Sequence, residues 1–216
     1  MNWDQHPINI SQDQDESTAT PLFHPPESLI PLEAKPSFWD SIGGAVRELV
    51  ETLLLTLVIF LLIRFAMQNF RVEGFSMEPN FHDGQFLLVS KIEYMLHQPE
   101  RGDVIVFKFP NQPSRDFIKR IIGLPGDRIE VRNGQVVINN EPLPENYPLN
   151  GGSYSYGPVT VGADEYFVLG DNRNNSSDSH SWGMLSTKLI IGKAWFSYWP
   201  PQWVGLVPRF SYASDQ

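Results

Sequence analysis

The sequence predicts a mostly β chain: an antiparallel β domain preceded by a single N-terminal transmembrane helix. Three observations point there: one long apolar run early in the chain, short apolar segments punctuated by turn signals after Phe70, and a tight hairpin signature at Asn133-Gly134. With 216 residues and 41% hydrophobic content, there is material for one medium domain plus appendages.

Residues 1–40 combine prolines (Pro7, Pro21, Pro25, Pro26, Pro31, Pro36) with acidic residues and little basic charge beyond Lys35. Such a segment buries too little apolar surface to offset its ordering entropy, so a disordered acidic tail is expected. It lacks the basic start, early apolar core and small-residue cleavage site of a secretory signal. Residues 41–69 form the helical region. The charge-free run from Thr52 to Ile63 is shorter than the roughly 20 residues a bilayer core requires. Extended from Leu49 to Met67 it reaches spanning length, with Glu51 at headgroup level and Arg64 able to snorkel. Composition favours a spanning helix over a buried or interfacial one. Lys35 and Arg47 on one flank compete with Arg64 and Arg71 on the other, so basic residues alone do not set its orientation.

The β-rich domain is assigned to residues 70–216. Phe86–Val89 and Val104–Phe107 are short apolar runs bounded by Asp83-Gly84 and Arg101-Gly102-Asp103. Arg128–Arg132 and Gln135–Ile138 flank Asn133-Gly134 as a hairpin with a two-residue turn, opening a smaller β excursion around residues 128–165. Residues 142–162 read as a long connection. Glu165–Leu169 and the aromatic Trp195–Trp199 give later strands.

A net charge of -9 argues against a nucleic-acid partner, which would favour clustered Lys and Arg. There is no cysteine, and the 5 histidines lie apart, so thiolate chemistry is excluded and neither a metal site nor a cofactor is expected. Nothing indicates an oligomer. Ser76, in Gly74-Phe75-Ser76-Met77-Glu78-Pro79, has an ordinary reading as a turn residue. Gly74 would allow close backbone approach and Pro79 would restrict Glu78, which together would fix an exposed hydroxyl. Lys119, in Phe117–Ile122, has an ordinary reading as a strand lysine whose head reaches water. If that segment is a strand, Lys119 shares a face with Phe117 and Ile121, while Arg120 points the other way with Ile118 and Ile122. Apolar neighbours would then lower the lysine pKa and supply a base for a serine nucleophile without histidine. The segment from Gly170 to Gly183 is hydrophilic enough for a plain surface loop, yet its aspartates and hydroxyls can hold an amine or pair with Arg120.

Ser76-Met77-Glu78-Pro79, Arg101-Gly102-Asp103-Val104, Lys119–Asp127 and Gly170–Gly183 together resemble, in order and character, the type I signal peptidases of bacteria. The resemblance implies that Ser76 is the nucleophile and Lys119 the general base. It further implies that Ser176 hydrogen-bonds and orients the Lys119 amine, and that Asp171 pairs with Arg120 as structural support. A mostly β catalytic domain on the outer face of the plasma membrane follows, or on an internal membrane such as a thylakoid. The bilayer and secretory precursor proteins are the implied partners, cut after small residues such as Ala-x-Ala.

Three departures stand out. Gly74 occupies a place where some members carry a serine hydroxyl for the oxyanion, His180 one where arginine is usual, and Asn174 one where aspartate is usual. An Asp178–His180 interaction is accordingly expected to be weaker and pH-dependent. Self-cleaving repressors of the LexA type also use a serine and a lysine on a β scaffold. They lack the membrane helix and usually carry a DNA-binding domain, for which an acidic tail is unsuited. A non-catalytic, membrane-anchored β binding module is the alternative of a different class.

Overall fold

The computed structural model describes residues 38–210 and 212, so the tail expected over residues 1–40 lies almost wholly outside the described residues. Helix α1 runs Phe38–Ala66. Its stretch Ile42–Ala66 has 25 residues and contains an 18-residue window of mean hydropathy 2.3 with no buried share. At about 1.5 Å per residue that stretch is roughly 37 Å long, more than a bilayer's hydrocarbon core of about 30 Å. Within it, Thr56 Oγ1 donates to the Thr52 carbonyl at 2.8 Å, so this hydroxyl is satisfied without water. Contacts divide the chain into two units, residues 1–49 and 50–216, with the division inside α1.

The helical region ends earlier than residue 69. Met67–Arg71 is already a strand, β1, which pairs antiparallel with β2 at Phe86–Ser90. After the short helix α2 (Glu93–Leu96) come β3 (Val104–Lys108) and β4 (Asp116–Gly123). The excursion follows as β5 (Arg128–Arg132), β6 (Gln135–Ile138), β7 (Glu141–Pro142) and β8 (Tyr156–Thr160). Then come β9 (Glu165–Leu169), α3 (Ser179–Trp182), β10 (Leu185–Ser186), β11 (Ile190–Trp199) and β12 (Gly205–Leu206).

Two antiparallel sheets result. The larger has eight strands in the order β1-β2-β11-β3-β4-β9-β10, with β12 on β11; the smaller has four, β7-β6-β5-β8. The hairpin at Asn133-Gly134 forms with φ of 47° and 83°, positive at both turn residues as a type I′ turn demands. β8 arises inside the stretch read as a connection, and β11 begins five positions before Trp195, where the late strand was expected.

Among the described residues the core has three buried clusters. Val72, Met77, Phe81, Leu87, Val89, Val104, Val106 and Ile118 form one; Ile105, Phe107, Ile121, Tyr166, Val168 and Leu185 form another, with Phe117 against it. The third, built around Ile122, Ile129, Val131, Phe167 and Leu169, lies beneath the smaller sheet. β4 therefore sends Ile118 into one cluster and Ile121 into a different one, and from Ile118 onward every residue of the strand is buried. This central strand carries both Lys119 and Arg120.

Candidate active site

The turn bearing Ser76 is built from the ladder outward. Val72 N–H donates to Gln85 at 2.8 Å and Gly84 N–H to Val72 at 2.9 Å, closing the loop at its base. Met77 and Phe81, both buried, bring the loop down onto the core, while Ser76 stays partly exposed. Gly74 contributes in a different way from the expected close approach. A Cβ there would meet nothing within 4 Å, but its φ is +85°, a left-handed conformation that disfavours side chains.

Lys119 reaches this turn from β4. Its Nζ donates to Ser76 Oγ at 2.7 Å and to the Ile118 carbonyl at 2.7 Å. The residue is 3% exposed, so the reading of a strand lysine with its head in water does not hold. The Phe117 ring, 5.3 Å from Nζ, covers the amine and is itself stacked on Phe109 at 4.4 Å. Burial lowers the Lys119 pKa from 10.5 to about 8, against an upward pull from Asp178 and Asp171.

Arg120, the next residue, faces the opposite side. Its Nε and Nη2 donate to the two Asp171 carboxylate oxygens at 2.9 and 2.7 Å, and Nη1 donates to Gly102 O at 2.9 Å. Tyr147 lies under the guanidinium at 4.2 Å. Both charged side chains are 1% exposed, and the fork-on-carboxylate geometry compensates the desolvation.

The segment after β9 locks onto the Ser76 turn. Asn172 N–H donates to Ser76 O at 3.0 Å and Asn172 Nδ2 to Phe75 O at 3.1 Å. Asn80 Nδ2 donates to Asp171 Oδ2 at 2.8 Å. Gly170 sits at the closest point: a Cβ there would lie 2.2 Å from Ser176 Oγ and 2.4 Å from Ser76 O. Asp178 caps α3, with Ser181 completing a capping box, and accepts from Gly170 N–H at 2.9 Å. His180 Nδ1 lies 2.5 Å from Asp178 Oδ1, which raises the histidine pKa, and its ring stacks on Tyr154 at 4.3 Å. Asn174 uses both ends of its amide, accepting from Ser153 N–H at 3.1 Å and donating to Gly151 O at 3.2 Å, which aspartate could not do.

Ser176 departs from expectation. Its hydroxyl is buried without a hydrogen-bond partner, and the second bond of the Lys119 amine goes to Ile118 O instead. The residues that sequence reasoning missed are Asn80 and Asn172, which join segments far apart in the chain, and the Arg173–Glu145 pair, to which Tyr147 adds a hydrogen bond. No local pattern in the sequence marks these contacts.

Ser76 and Lys119 line a groove of about 670 Å³ with Phe70, Arg71, Phe75 and Phe117. A larger cavity, about 1400 Å³, is lined by Asp103, Lys193, Trp195 and Arg209 and contains neither residue. The smaller one holds the Ser76–Lys119 pair. A hydroxyl hydrogen-bonded to a buried, depressed-pKa amine in an open groove is an arrangement compatible with a serine hydrolase.

Known proteins agree with that class. The family model described as signal peptidase, peptidase S26, matches residues 46–199. Signal peptidase I of Leptolyngbya laminosa is 43% identical, covering 77% of this chain and 87% of that protein. The probable signal peptidase I-2 of Synechocystis sp. is 42% identical over 74% of this chain and 76% of its own length. The chloroplast thylakoidal processing peptidase 1 of Arabidopsis thaliana is 40% identical over 58% of this chain and 40% of that protein. The chain belongs to the signal peptidase family, peptidase S26, and is an endopeptidase of that family.

Proposed function

We propose that this chain is a membrane-anchored serine endopeptidase that removes N-terminal signal peptides from exported proteins after small residues of the Ala-x-Ala type. The observation that carries the reading is the 2.7 Å contact between Lys119 Nζ and Ser76 Oγ, with the lysine 3% exposed. In its neutral form Lys119 takes the Ser76 proton as Oγ attacks the scissile carbonyl. The oxyanion is assigned to the Ser76 backbone N–H, since Gly74 offers no hydroxyl. As the tetrahedral intermediate collapses, the ammonium returns the proton to the departing amine and an ester remains on Ser76. Lys119 next takes a proton from water, whose oxygen attacks the ester. The acid product departs and Ser76 regains its proton.

Ser176 is assigned to the ammonium form. A buried hydroxyl without a partner costs about 1–3 kcal/mol. A side-chain rotation that let it accept from Lys119 would relieve that cost and orient the amine. Asp171 and Arg120 act as scaffold, and Asp178 supports the Gly170 wall. α1 is the anchor and the β domain works on the extracytoplasmic side, of a plasma membrane or of a thylakoid, the latter in keeping with the plastid relative. The test is incubation of the detergent-solubilised chain with a secretory precursor and mass spectrometry of the products. Cleavage after a small-x-small motif is expected; no cleavage, or a cut set by a different residue class, would overturn the reading.

A further inference from the structure

Each preorganised donor aimed at the developing oxyanion stabilises the transition state, and the turn that carries Ser76 has few to offer. Gly74 brings no hydroxyl, and its N–H is already given to Asp83 Oδ1 at 2.8 Å. The wall that faces this turn is the segment after β9. Two bonds from Asn172 fix its place, the backbone N–H to Ser76 O at 3.0 Å and Nδ2 to Phe75 O at 3.1 Å.

Asn175 ends the short helical turn Arg173–Asn175 on that wall, and its N–H donates to Asn172 O at 3.0 Å. One turn of chain therefore ties it to the residue that clasps the nucleophile's backbone. Ser176 follows with extended backbone and lies against the same place, since a Cβ on Gly170 would meet both Ser176 Oγ and Ser76 O. Neighbouring side chains of an extended stretch point to opposite sides. The Ser176 hydroxyl is buried, whereas Asn175 and Ser177 are exposed and line the groove with Ser76 and Lys119. The asparagines of this segment are not equivalent. Asn172 and Asn174 use their amides on Phe75, Gly151 and Ser153, but the Asn175 amide has no hydrogen-bond partner among the described residues. Two N–H donors without a charge suit an anion that exists only in the transition state. The other neutral side-chain donors of the groove, Asn69 and Ser114, lie well before Ser76 on β1 and before Lys119 ahead of β4.

We infer that Asn175 is a further catalytic residue: its Nδ2 donates to the scissile carbonyl oxygen as that oxygen becomes anionic, beside the Ser76 N–H. The bond moves no proton; it stabilises the tetrahedral intermediate that leads to the ester and the one that leads from it. The inference rests on the serine endopeptidase reading, so its test measures both. Full-length parent, Asn175→Ala, Asn175→Asp and Ser177→Ala, in detergent, are compared in single-turnover cleavage of a secretory precursor. Each is also titrated with a peptide aldehyde ending in a small-x-small sequence and with the matching peptide alcohol. Ser76 Oγ adds to the aldehyde carbon, its proton passes to Lys119, and the carbonyl oxygen becomes the hemiacetal oxyanion. The alcohol has no carbonyl to attack and reports only the grip on the peptide.

Removing one oxyanion donor costs on the order of 10²–10³ in rate. Asn175→Ala should lose about 10²-fold in cleavage and a similar factor in aldehyde affinity. Its alcohol affinity, thermal unfolding and apparent pKa near 8 should match the parent's. Asn175→Asp, which keeps the size and loses the donor, should cleave no faster than Asn175→Ala, and Ser177→Ala should cleave like the parent. Parental aldehyde affinity in Asn175→Ala, equal losses for aldehyde and alcohol, a loss that comes with a moved pKa, a fully active Asn175→Asp, or a loss that follows Ser177→Ala instead would each overturn the inference. A parent that neither cleaves the precursor nor binds the aldehyde would remove the endopeptidase reading and the inference together.

Discussion

Lys119 and Arg120 are neighbours on one strand, both buried, and the fold treats their charges in opposite ways. Arg120 receives both oxygens of Asp171, whereas Lys119 makes no ion pair among the described residues and is left with a hydroxyl and a carbonyl. Burying a cation without a carboxylate is costly, and the cost falls on the charged form alone. One cation is thereby held permanently and the other is made easy to deprotonate.

Replacing Ser76 by Ala or Lys119 by Met should each lower precursor cleavage by about 10³-fold or more, as for residues that act as one unit in covalent catalysis. Met keeps most of the lysine volume and deletes the amine. The β domain should stay folded, with thermal unfolding of Lys119→Met no lower than about that of the parent at neutral pH. Single-turnover cleavage beside calorimetry checks both. Near-parental turnover in either folded variant would remove that residue from the chemistry.

The pH dependence follows from a Lys119 pKa lowered to about 8 by burial. Cleavage should rise with pH through an apparent pKa near that value, since the base is the neutral amine. Stability carries the same sign. Between about pH 8 and the unfolded value near 10.5, the unfolded chain holds a proton that the folded chain has lost, so stability rises with pH across that window. At about 1.4 kcal/mol per pKa unit, the wild type should gain roughly 3 kcal/mol relative to Lys119→Met over it. A flat difference between the two proteins would contradict the depressed pKa.

His180 tests the field around the amine. Asp178 raises the Lys119 pKa, and a cation at position 180 offsets Asp178. His180→Arg should therefore move the kinetic pKa of Lys119 downward, while His180→Gln should not. The His180 pKa is raised by its Asp178 hydrogen bond. Its stabilisation is present in full below the unfolded value of about 6.5 and is lost as pH rises through the higher folded value. Chemical denaturation at pH 6 and pH 9 should show the parent losing stability relative to His180→Arg, since the Lys119 contribution is carried by both proteins.

Gly170→Ala should damage activity far more than folding. The added methyl would meet Ser76 O and Ser176 Oγ at distances no real Cβ tolerates, so the Ser76 turn must shift. Misplacing a reacting group by about 1 Å can cost on the order of 10²-fold. Cleavage rates compared with unfolding midpoints decide it, and a fully active Gly170→Ala would show that the wall does not position Ser76.

Short-range patterns in the chain announced much of this arrangement. Asn133-Gly134 marked its hairpin because both residues accept positive φ, and alternation along β4 was enough to separate the faces of Lys119 and Arg120. β1 was hidden because Met67–Arg71 continues the apolar helix with no glycine or proline to stop it. β8 was hidden by Gly157-Pro158 and its polar surroundings, although pairing with β5 outweighs their low strand propensity. The clasp of Asn172 and Asn80 on the Ser76 and Asp171 segments depends on contacts between distant parts of the chain, and the partnerless state of Ser176 depends on where its neighbours' backbones lie. Neither has a local pattern.

β11 follows β2, β3 and β4 in the chain, yet it lies in the middle of the larger sheet, between β2 and β3. The strand that carries the Ser76 turn and the hairpin that carries Lys119 are thus joined by a piece the ribosome delivers after both. Until then the Ser76 turn and the Lys119 hairpin lack the strand that joins them within the sheet, and the closing of so non-local a sheet is slow. The enzyme is born latent: a nascent chain halted before Ile190 should leave Ser76 unlabelled by a serine-directed acylating reagent, and one halted after β12 should not.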